Sequence, residues 1–260
     1  MELREKVAVV TGGANGIGAA LARRFAAEGA RAVIVVDLDL AHAEAVAQEV
    51  RGVAFKADVG VEADVVRVVR ETEQRFGGVD LWCSNAGIFF LGGVETPNAQ
   101  WQKIWDVNVM AHVYAARAVV PGMLARGGGY LMHTASAAGL LSQIGSATYS
   151  VTKHAVVALA EWLSITHGEQ GIKVSVLCPQ AVRTNMIAGT EEGGVAGVDG
   201  VIEPEQVAQA VIEGLADERF LILPHPQVAE YLRRKTADYD RWLGGMRRLQ
   251  RRFQDSLPQS

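Results

Sequence analysis

A chain of 260 residues in which 49% are apolar and 21% charged carries enough apolar sequence to bury one large core, which excludes disordered and collagen-like classes. Its formal net charge of -4 leaves no basic footprint for nucleic acid as the main partner. No apolar run reaches the roughly 18 residues that span a bilayer, and residues 1–6 do not compose a signal peptide, so a cytoplasmic protein without membrane insertion is expected.

Residues 6–10 form a short β-branched run that breaks at Thr11-Gly12-Gly13-Ala14-Asn15-Gly16-Ile17-Gly18, after which Leu21, Phe25 and Ala26 set a helical pattern. Glycines in such a turn let the backbone take positive φ and approach a ligand, and the helix N-terminus offers free N–H groups to a pyrophosphate. The spacing is not G-x-G-x-x-G, and no Lys follows Gly18 to make a Walker A loop; an ordinary glycine turn would use the same residues. A second strand over 31–36 ends in Asp37, nineteen residues beyond Gly18. An acid there is placed to accept hydrogen bonds from an adenosine ribose and to repel a 2′-phosphate. Neither Leu38 nor Asp39 adds a positive charge, so NAD is expected over NADP. Asp37 could instead cap the helix that starts near Asp39.

The pattern repeats as a helix over 41–50, a strand over 53–57 ending in Asp58-Val59, a helix over 62–76, and a strand over 80–83 leading into Ser84-Asn85-Ala86-Gly87. Strands alternating with helices predict a doubly wound α/β fold with a parallel sheet of about seven strands, helices on both faces and right-handed crossovers, in one domain over 1–225. Ligands of such sheets bind beyond the carboxyl ends of the strands, where Gly12, Asp37, Asp58 and Asn85 fall. Cys83 and Cys178 lie in apolar runs and are expected as reduced core thiols.

A long helix is predicted over 98–126, with Asn108 near its middle and Pro121-Gly122 bending or breaking it. A fifth strand over 130–135 ends at Ser136, on the same rim. Tyr149 then opens a helix that carries Lys153 and runs to about His167. Two side chains four apart on a helix sit about 40° apart around the axis and about 6 Å apart along it, so both tips reach one spot. An ammonium there favours the phenolate and draws the phenol down from its usual value near 10, making the pair fit for proton transfer; alone, the same pair also describes a solvated face. The histidines His42, His112, His133, His154, His167 and His225 show no paired ligand spacing, so no metal is expected. The chain has no G-x-S-x-G, which argues against an α/β-hydrolase.

Thr11-Gly12 through Gly16-Ile17-Gly18, Asp58-Val59, Asn85-Ala86-Gly87, Asn108, Ser136, Tyr149-x-x-x-Lys153, and Pro179 with Thr184 stand in an order that resembles the short-chain dehydrogenase/reductase family. The resemblance runs from about residue 4 to about residue 223 and implies a Rossmann-like sheet. It implies that Tyr149 is the general acid/base and that Lys153 lowers its pKa and holds the nicotinamide ribose. Ser136 would position the substrate oxygen, and Asn108 would hold a water linking Lys153 to solvent. The nucleotide would contact Gly12, Asn15, Gly16, Ile17, Gly18, Asp37, Leu38, Asp58, Val59, Asn85, Ala86 and Gly87, with Tyr149, Lys153, Pro179, Val182 and Thr184 around the nicotinamide. The implied function is an NAD-dependent oxidoreductase on a hydrophobic or aromatic secondary alcohol and its ketone, oxidising in the cell. The alternative is a non-catalytic NAD-binding regulatory or scaffold protein, whose mark would be loss of Tyr149 or Lys153. Nucleotide-sugar epimerases share Tyr-x-x-x-Lys but are longer, with another glycine spacing. Family members are commonly tetramers or dimers, so a homo-oligomer is expected.

Two departures stand out. Ser84 replaces a usual Asn, and Gln180 replaces the Gly that usually follows Pro179, where it is either a substrate contact or solvent-exposed. The resemblance puts the substrate walls at Ser136, Tyr149, Phe89-Phe90-Leu91, Leu140-Leu141 with Ile144, Gln180 and Met186-Ile187, though several of these fit a core equally well. A glycine-rich run over 189–200 has the composition of a mobile lid, spanning about 180–203. Residues 226–260 form a predicted amphipathic helical extension with Leu232, Tyr239, Trp242, Leu243, Met246, Leu249 and Phe253 near helical spacing, and eight Arg or Lys against four Asp or Glu. It would pack over the chain's own cleft or on a neighbouring subunit, or lie on a membrane surface.

Overall fold

Seven short runs of mostly β-branched and apolar residues become the strands of one parallel sheet: β1 (Val7–Thr11), β2 (Ala32–Asp37), β3 (Val53–Lys56), β4 (Leu81–Ser84), β5 (Gly129–Thr134), β6 (Ile172–Leu177) and β7 (Leu221–Ile222). This is a computed structural model, and it describes residues 1–188 and 191–253. The strand order is β3-β2-β1-β4-β5-β6-β7, with every pairing parallel. All five residues of β1 are buried, as expected of a strand covered on both faces. Alternate residues split between two cores. Val7 and Val9 join α3 (Glu62–Phe76), α5 (Ala111–Ala125) and α6 (Ala147–His167) on one face. Ala8 and Val10 join α1 (Gly16–Ala27), α2 (Leu40–Glu49) and α7 (Pro204–Ala216) on the other.

The order reverses between β1 and β4, because the chain leaves β3 and returns to the opposite side of β1. Switch points of this kind open a crevice at the carboxyl ends of the strands. Here the opening lies between the loop after Thr11 and the loop after Ser84.

The predicted long helix is corrected in two places. It runs as α4 (Asn98–Trp105), a π-helical turn over Asp106–Met110, and α5. Pro121 neither breaks nor ends α5, which continues to Ala125. Pro121 and Arg117, whose carbonyl loses its donor, both lie on the exposed side, where water can meet that carbonyl. The interruption is instead the wide turn that holds Asn108, a common device at functional positions.

The C-terminal extension is two helices, α8 (Gln227–Ala237) and α9 (Tyr239–Arg252), parted by Asp238 in extended conformation. Asp238 accepts from Arg241 N at 3.0 Å and so caps α9. In α8, Val228 is buried beside Ala137 and Leu141, with Tyr231, Leu232 and Trp242 packed around them. No residue of α9 is buried. Residues 254–260 and the lid positions 189–190 lie outside the described residues. Among the described residues no helix is long and apolar enough to cross a membrane.

Candidate active site

The glycine turn is a surface of backbone pressed against its neighbours. Gly12 and Gly16 take φ of 64° and 52°, in the left-handed region that a side chain disfavours. A Cβ on Gly18 would lie 2.0 Å from the Gly12 carbonyl oxygen, and one on Gly16 would lie 2.9 Å from Thr184 Cγ2. The Asn15 side chain makes no cap bond to α1, so the N–H groups of its first turn and the positive end of its dipole have no acceptor from the cap residue. Thr11 Oγ1 accepts from Asn85 N at 2.9 Å and Ala86 N at 3.1 Å. Asn85 Nδ2 donates to Thr11 O at 3.1 Å and its Oδ1 accepts from Thr134 Oγ1 at 3.2 Å. Asn85 therefore laces β1, β4 and β5 together at the rim, with Gly87 just beyond. These features fit a pyrophosphate-bearing dinucleotide.

Asp37 closes β2 and turns toward the glycine turn, accepting from Ala14 N at 3.0 Å and Asp39 N at 3.1 Å. The cap of α2 is Asp39, which accepts from His42 N, so Asp37 is not that cap. Leu38 is exposed. Asp58 accepts from Gly60 N and from Lys103 Nζ, while Val59 is buried beside Val107 and Ala111, with Ala86 and Ile88 packed against them. Pro179 O accepts from Ala137 N at 2.8 Å and Ser136 Oγ at 3.4 Å. Val182 pairs with Ile202 as a short bridge, and Thr184 reaches the glycine turn.

Tyr149 is held by the start of its own helix, where Ser146 Oγ accepts from Tyr149 N at 3.2 Å and caps α6. Ser136 stands two residues beyond the end of β5, where its Oγ accepts from Ala138 N at 3.1 Å, and its hydroxyl acts on the phenol by favouring the phenolate. Lys153 is buried, donates from Nζ to Thr134 O at 2.9 Å, and sits 5.4 Å from the centre of the Tyr149 ring. Asn108 is also buried: its Oδ1 accepts from Ile88 N at 2.9 Å, and its Nδ2 donates to Ile88 O and Thr152 Oγ1. A Cβ on Gly87 would stand 3.4 Å from Asn108 Oδ1 and 3.5 Å from Lys153 Nζ. The four predicted side chains thus come together beneath the loop after β4.

The electrostatics correct one expectation. Burial pushes the Tyr149 phenol up to about 12, with the Ser136 hydroxyl pulling the other way. Burial likewise lowers the Lys153 ammonium to about 8. Sequence spacing counted the ammonium's attraction for a phenolate but not the desolvation of the phenol, which here is larger. The ammonium is also directed at the Thr134 carbonyl.

Of the predicted walls, Phe89 meets Tyr149 edge to face at 5.1 Å between ring centres, and Phe90 packs in the same cluster with Ile104 and Ala138. Leu141 and Ile144 are buried, Leu141 against α8, whereas Leu91 and Met186 are exposed. Gln180 is not free in solvent: its N donates to His225 Nδ1 at 3.2 Å and its Nε2 donates to Asp199 Oδ2 at 2.9 Å. A groove of ≈ 570 Å³ runs past Leu141, Ile144, Trp242, Met246 and Arg247, lined by none of the four predicted catalytic side chains. It belongs to the α9 side.

Two features had no sequence signal. Ser84 accepts from Trp82 Nε1 at 3.0 Å, so its departure from Asn serves the packing beneath the rim. Its register partner in β5 is His133. His133 and His112 meet with Nδ1 atoms 2.9 Å apart, both buried, and their Nε2 atoms have no partner among the described residues. Burial lowers both, His133 to about 4. They are 21 residues apart in sequence, a separation set by topology alone. Among the described residues no group of three His, Cys, Asp or Glu converges as a metal site. Cys83 and Cys178 are free and buried, and burial raises the thiol of each.

Residues 6–193 match the family described as short chain dehydrogenase. The chain is 39% identical over 243 residues to a 1-deoxy-11-beta-hydroxypentalenate dehydrogenase of Streptomyces exfoliatus, covering 90% of this chain and 88% of that one. It is 32% identical over 229 residues to a cyclohexanol dehydrogenase of Acinetobacter sp. (strain SE19), covering 84% and 90%. Among solved structures, a short chain dehydrogenase/reductase from Burkholderia phymatum in complex with NAD superimposes with a TM-score of 0.84 at 28% identity, over 92% of this chain and 96% of that one.

Proposed function

The chain belongs to the short chain dehydrogenase family, and from that premise we propose that it is an NAD-dependent oxidoreductase interconverting an apolar secondary alcohol and its ketone, with Tyr149 as general acid/base. The observation that carries the reading is the convergence of the Ser136 hydroxyl, the Tyr149 phenol and the Lys153 ammonium in one buried site at the carboxyl end of β5. When bound, NAD supplies the hydride acceptor.

The chain's own residues do the rest. Gly12, Gly16 and Gly18 let the pyrophosphate approach the α1 N-terminus. Asp37, already fixed to Ala14 N and Asp39 N, accepts from ribose hydroxyls and repels a 2′-phosphate. Ser136 donates to the substrate oxygen as it gains negative charge. With its pKa pushed up to about 12, the phenol of Tyr149 holds its proton at neutral pH and can donate it to a ketone oxygen. In the oxidising direction the phenol first gives up its own proton to solvent and the resulting phenolate takes the hydroxyl proton, while Lys153, still cationic at neutral pH with a value of about 8, offsets the phenolate charge that burial disfavours.

The edge-on contact of Phe89 with Tyr149 supports an apolar substrate, and the relatives named for hydroxypentalenate and cyclohexanol point to alicyclic alcohols. A homodimer or homotetramer in the cytoplasm belongs to the same reading, supported by the exposed Val151, Trp162 and Ile165 on α6. The test is NADH formation over a panel of alicyclic secondary alcohols, with NADP in parallel and with the Asp37→Ala variant. Turnover with NAD, little with NADP, and a narrowed preference in the variant are expected. Equal use of both cofactors by the unmodified chain would count against the Asp37 role, and no turnover while NAD binds would count against the alcohol reading.

A further inference from the structure

Gln180 stands where the family pattern has glycine, and its side chain is engaged. We propose that Gln180, Asp199 and Tyr231 form a brace that positions the segment over 191–200 and α8 on either side of the reaction site; the proposal rests on the alcohol dehydrogenase reading for its catalytic consequence. Gln180 is then a positioning residue rather than a substrate contact.

Both oxygens of the Asp199 carboxylate are held. Oδ2 accepts from Gln180 Nε2 at 2.9 Å and Oδ1 accepts from the Tyr231 hydroxyl at 2.8 Å. The partners lie 19 and 32 residues away in sequence, so one carboxylate joins three chain segments. Gln180 follows Pro179, whose carbonyl receives the Ser136 hydroxyl and Ala137 N. Tyr231 sits on α8, whose Val228 is buried with Ala137 and Leu141 and whose Lys235 donates to Leu140 O at 2.6 Å. The contacts therefore close a ring from Ser136 through Gln180, Asp199 and Tyr231 back to the segment after Ser136. Ala181 ties the 191–200 segment into that ring, since its N donates to Ala196 O and its carbonyl accepts from Ile202 N, both at 3.2 Å.

The orientation of the amide is fixed by chemistry, because a carboxylate only accepts and so must face Nε2. That leaves Oε1 buried with no partner among the described residues. An orphaned buried acceptor is destabilising, and a glycine would avoid it. A residue kept only for stability would not be built this way; one kept to hold Asp199 would.

The test exchanges the two ends of the bond. Gln180→Glu sets two carboxylates against each other. Adding Asp199→Asn restores donor to acceptor, since the amide nitrogen then at position 199 can donate to the carboxylate at position 180 while the amide oxygen still accepts from Tyr231. For the full-length protein, hydrogen exchange at backbone amides 193–202 is read first and needs no substrate. Exchange should quicken in Gln180→Glu and return in the double variant. KM for the alcohol should rise by about tenfold in Gln180→Glu, the size expected for a lost hydrogen bond to a charged group, with a smaller change in kcat, and should recover in the double variant. If Gln180→Glu does not fold, Tyr231→Phe, which removes one hydroxyl and keeps the ring, should show the same exchange effect in weaker form. Unchanged exchange in both single variants, or a double variant no better than Gln180→Glu, overturns the brace. Restored exchange without any alcohol turnover keeps the brace and sinks the dehydrogenase reading.

Discussion

Tyr149 and Lys153 carry values set by what surrounds them more than by each other. Burial moves the phenol to about 12 and the ammonium to about 8, so each is pushed toward its neutral form. The spacing of Tyr149 and Lys153 was legible because helical geometry fixes which side chains share a face; the degree of desolvation was not, because it depends on the chain segments that fold over them. The same holds for His112 and His133, remote in sequence and in contact across α5 and β5. Their depressed values have a consequence for stability. The folded state resists protonation of His133 until about pH 4, while the unfolded chain takes up the proton near 6.5. Stability is therefore lost as pH falls from 6.5 to 4, by about 3 kcal/mol if the whole shift is expressed. Denaturant unfolding across this range should show the loss, and His133→Gln should flatten it. An identical slope in the variant would mean that the buried pair is not its source.

At the scale of elements, the strands were readable because short apolar, β-branched runs bounded by turn residues persist along the chain, as in Val7-Ala8-Val9-Val10. The π-helical turn at Asn108 was not, since one extra residue in a turn leaves the composition unchanged. Pro121 misled because a helix can continue through a proline where the carbonyl that loses its donor belongs to an exposed residue, here Arg117, and can meet water instead. The break between α8 and α9 lay in view at Asp238, an N-cap residue type within a helical pattern. Capping also reaches the active site. Ser146 holds Tyr149 N at 3.2 Å and donates to Phe90 O at 2.6 Å, joining the first turn of α6 to the loop that places Phe89 against the phenol. Ser146→Ala should lower stability by about 1 kcal/mol and reduce kcat beyond what the unfolded fraction explains. A lower denaturation midpoint with kcat unaltered would separate the cap from catalysis.

The whole molecule brings two halves of the sequence to one rim. Because the order reverses between β1 and β4, the glycine turn, Asp37 and Asn85 from the first half stand beside Ser136, Tyr149 and Pro179 from the second. This much followed from counting alternating elements, since a parallel sheet leaves all its carboxyl ends on one side. The closing pieces did not follow. Asp199, Tyr231 and Lys235 act from a glycine-rich run and a helical extension whose composition and spacing name no partner, and their partners are set by how the last helices settle on the loop after Ser136. The central claim concerns proton transfer by Tyr149 beside a bound nicotinamide. Its most direct test is NADH formation by Tyr149→Phe against the unmodified chain on the same alicyclic alcohol, with NAD affinity measured on both. NAD binding within about threefold and turnover lower by about 10²–10⁴, the usual contribution of a positioned acid/base, is the predicted result. Turnover by Tyr149→Phe close to that of the unmodified chain would contradict it.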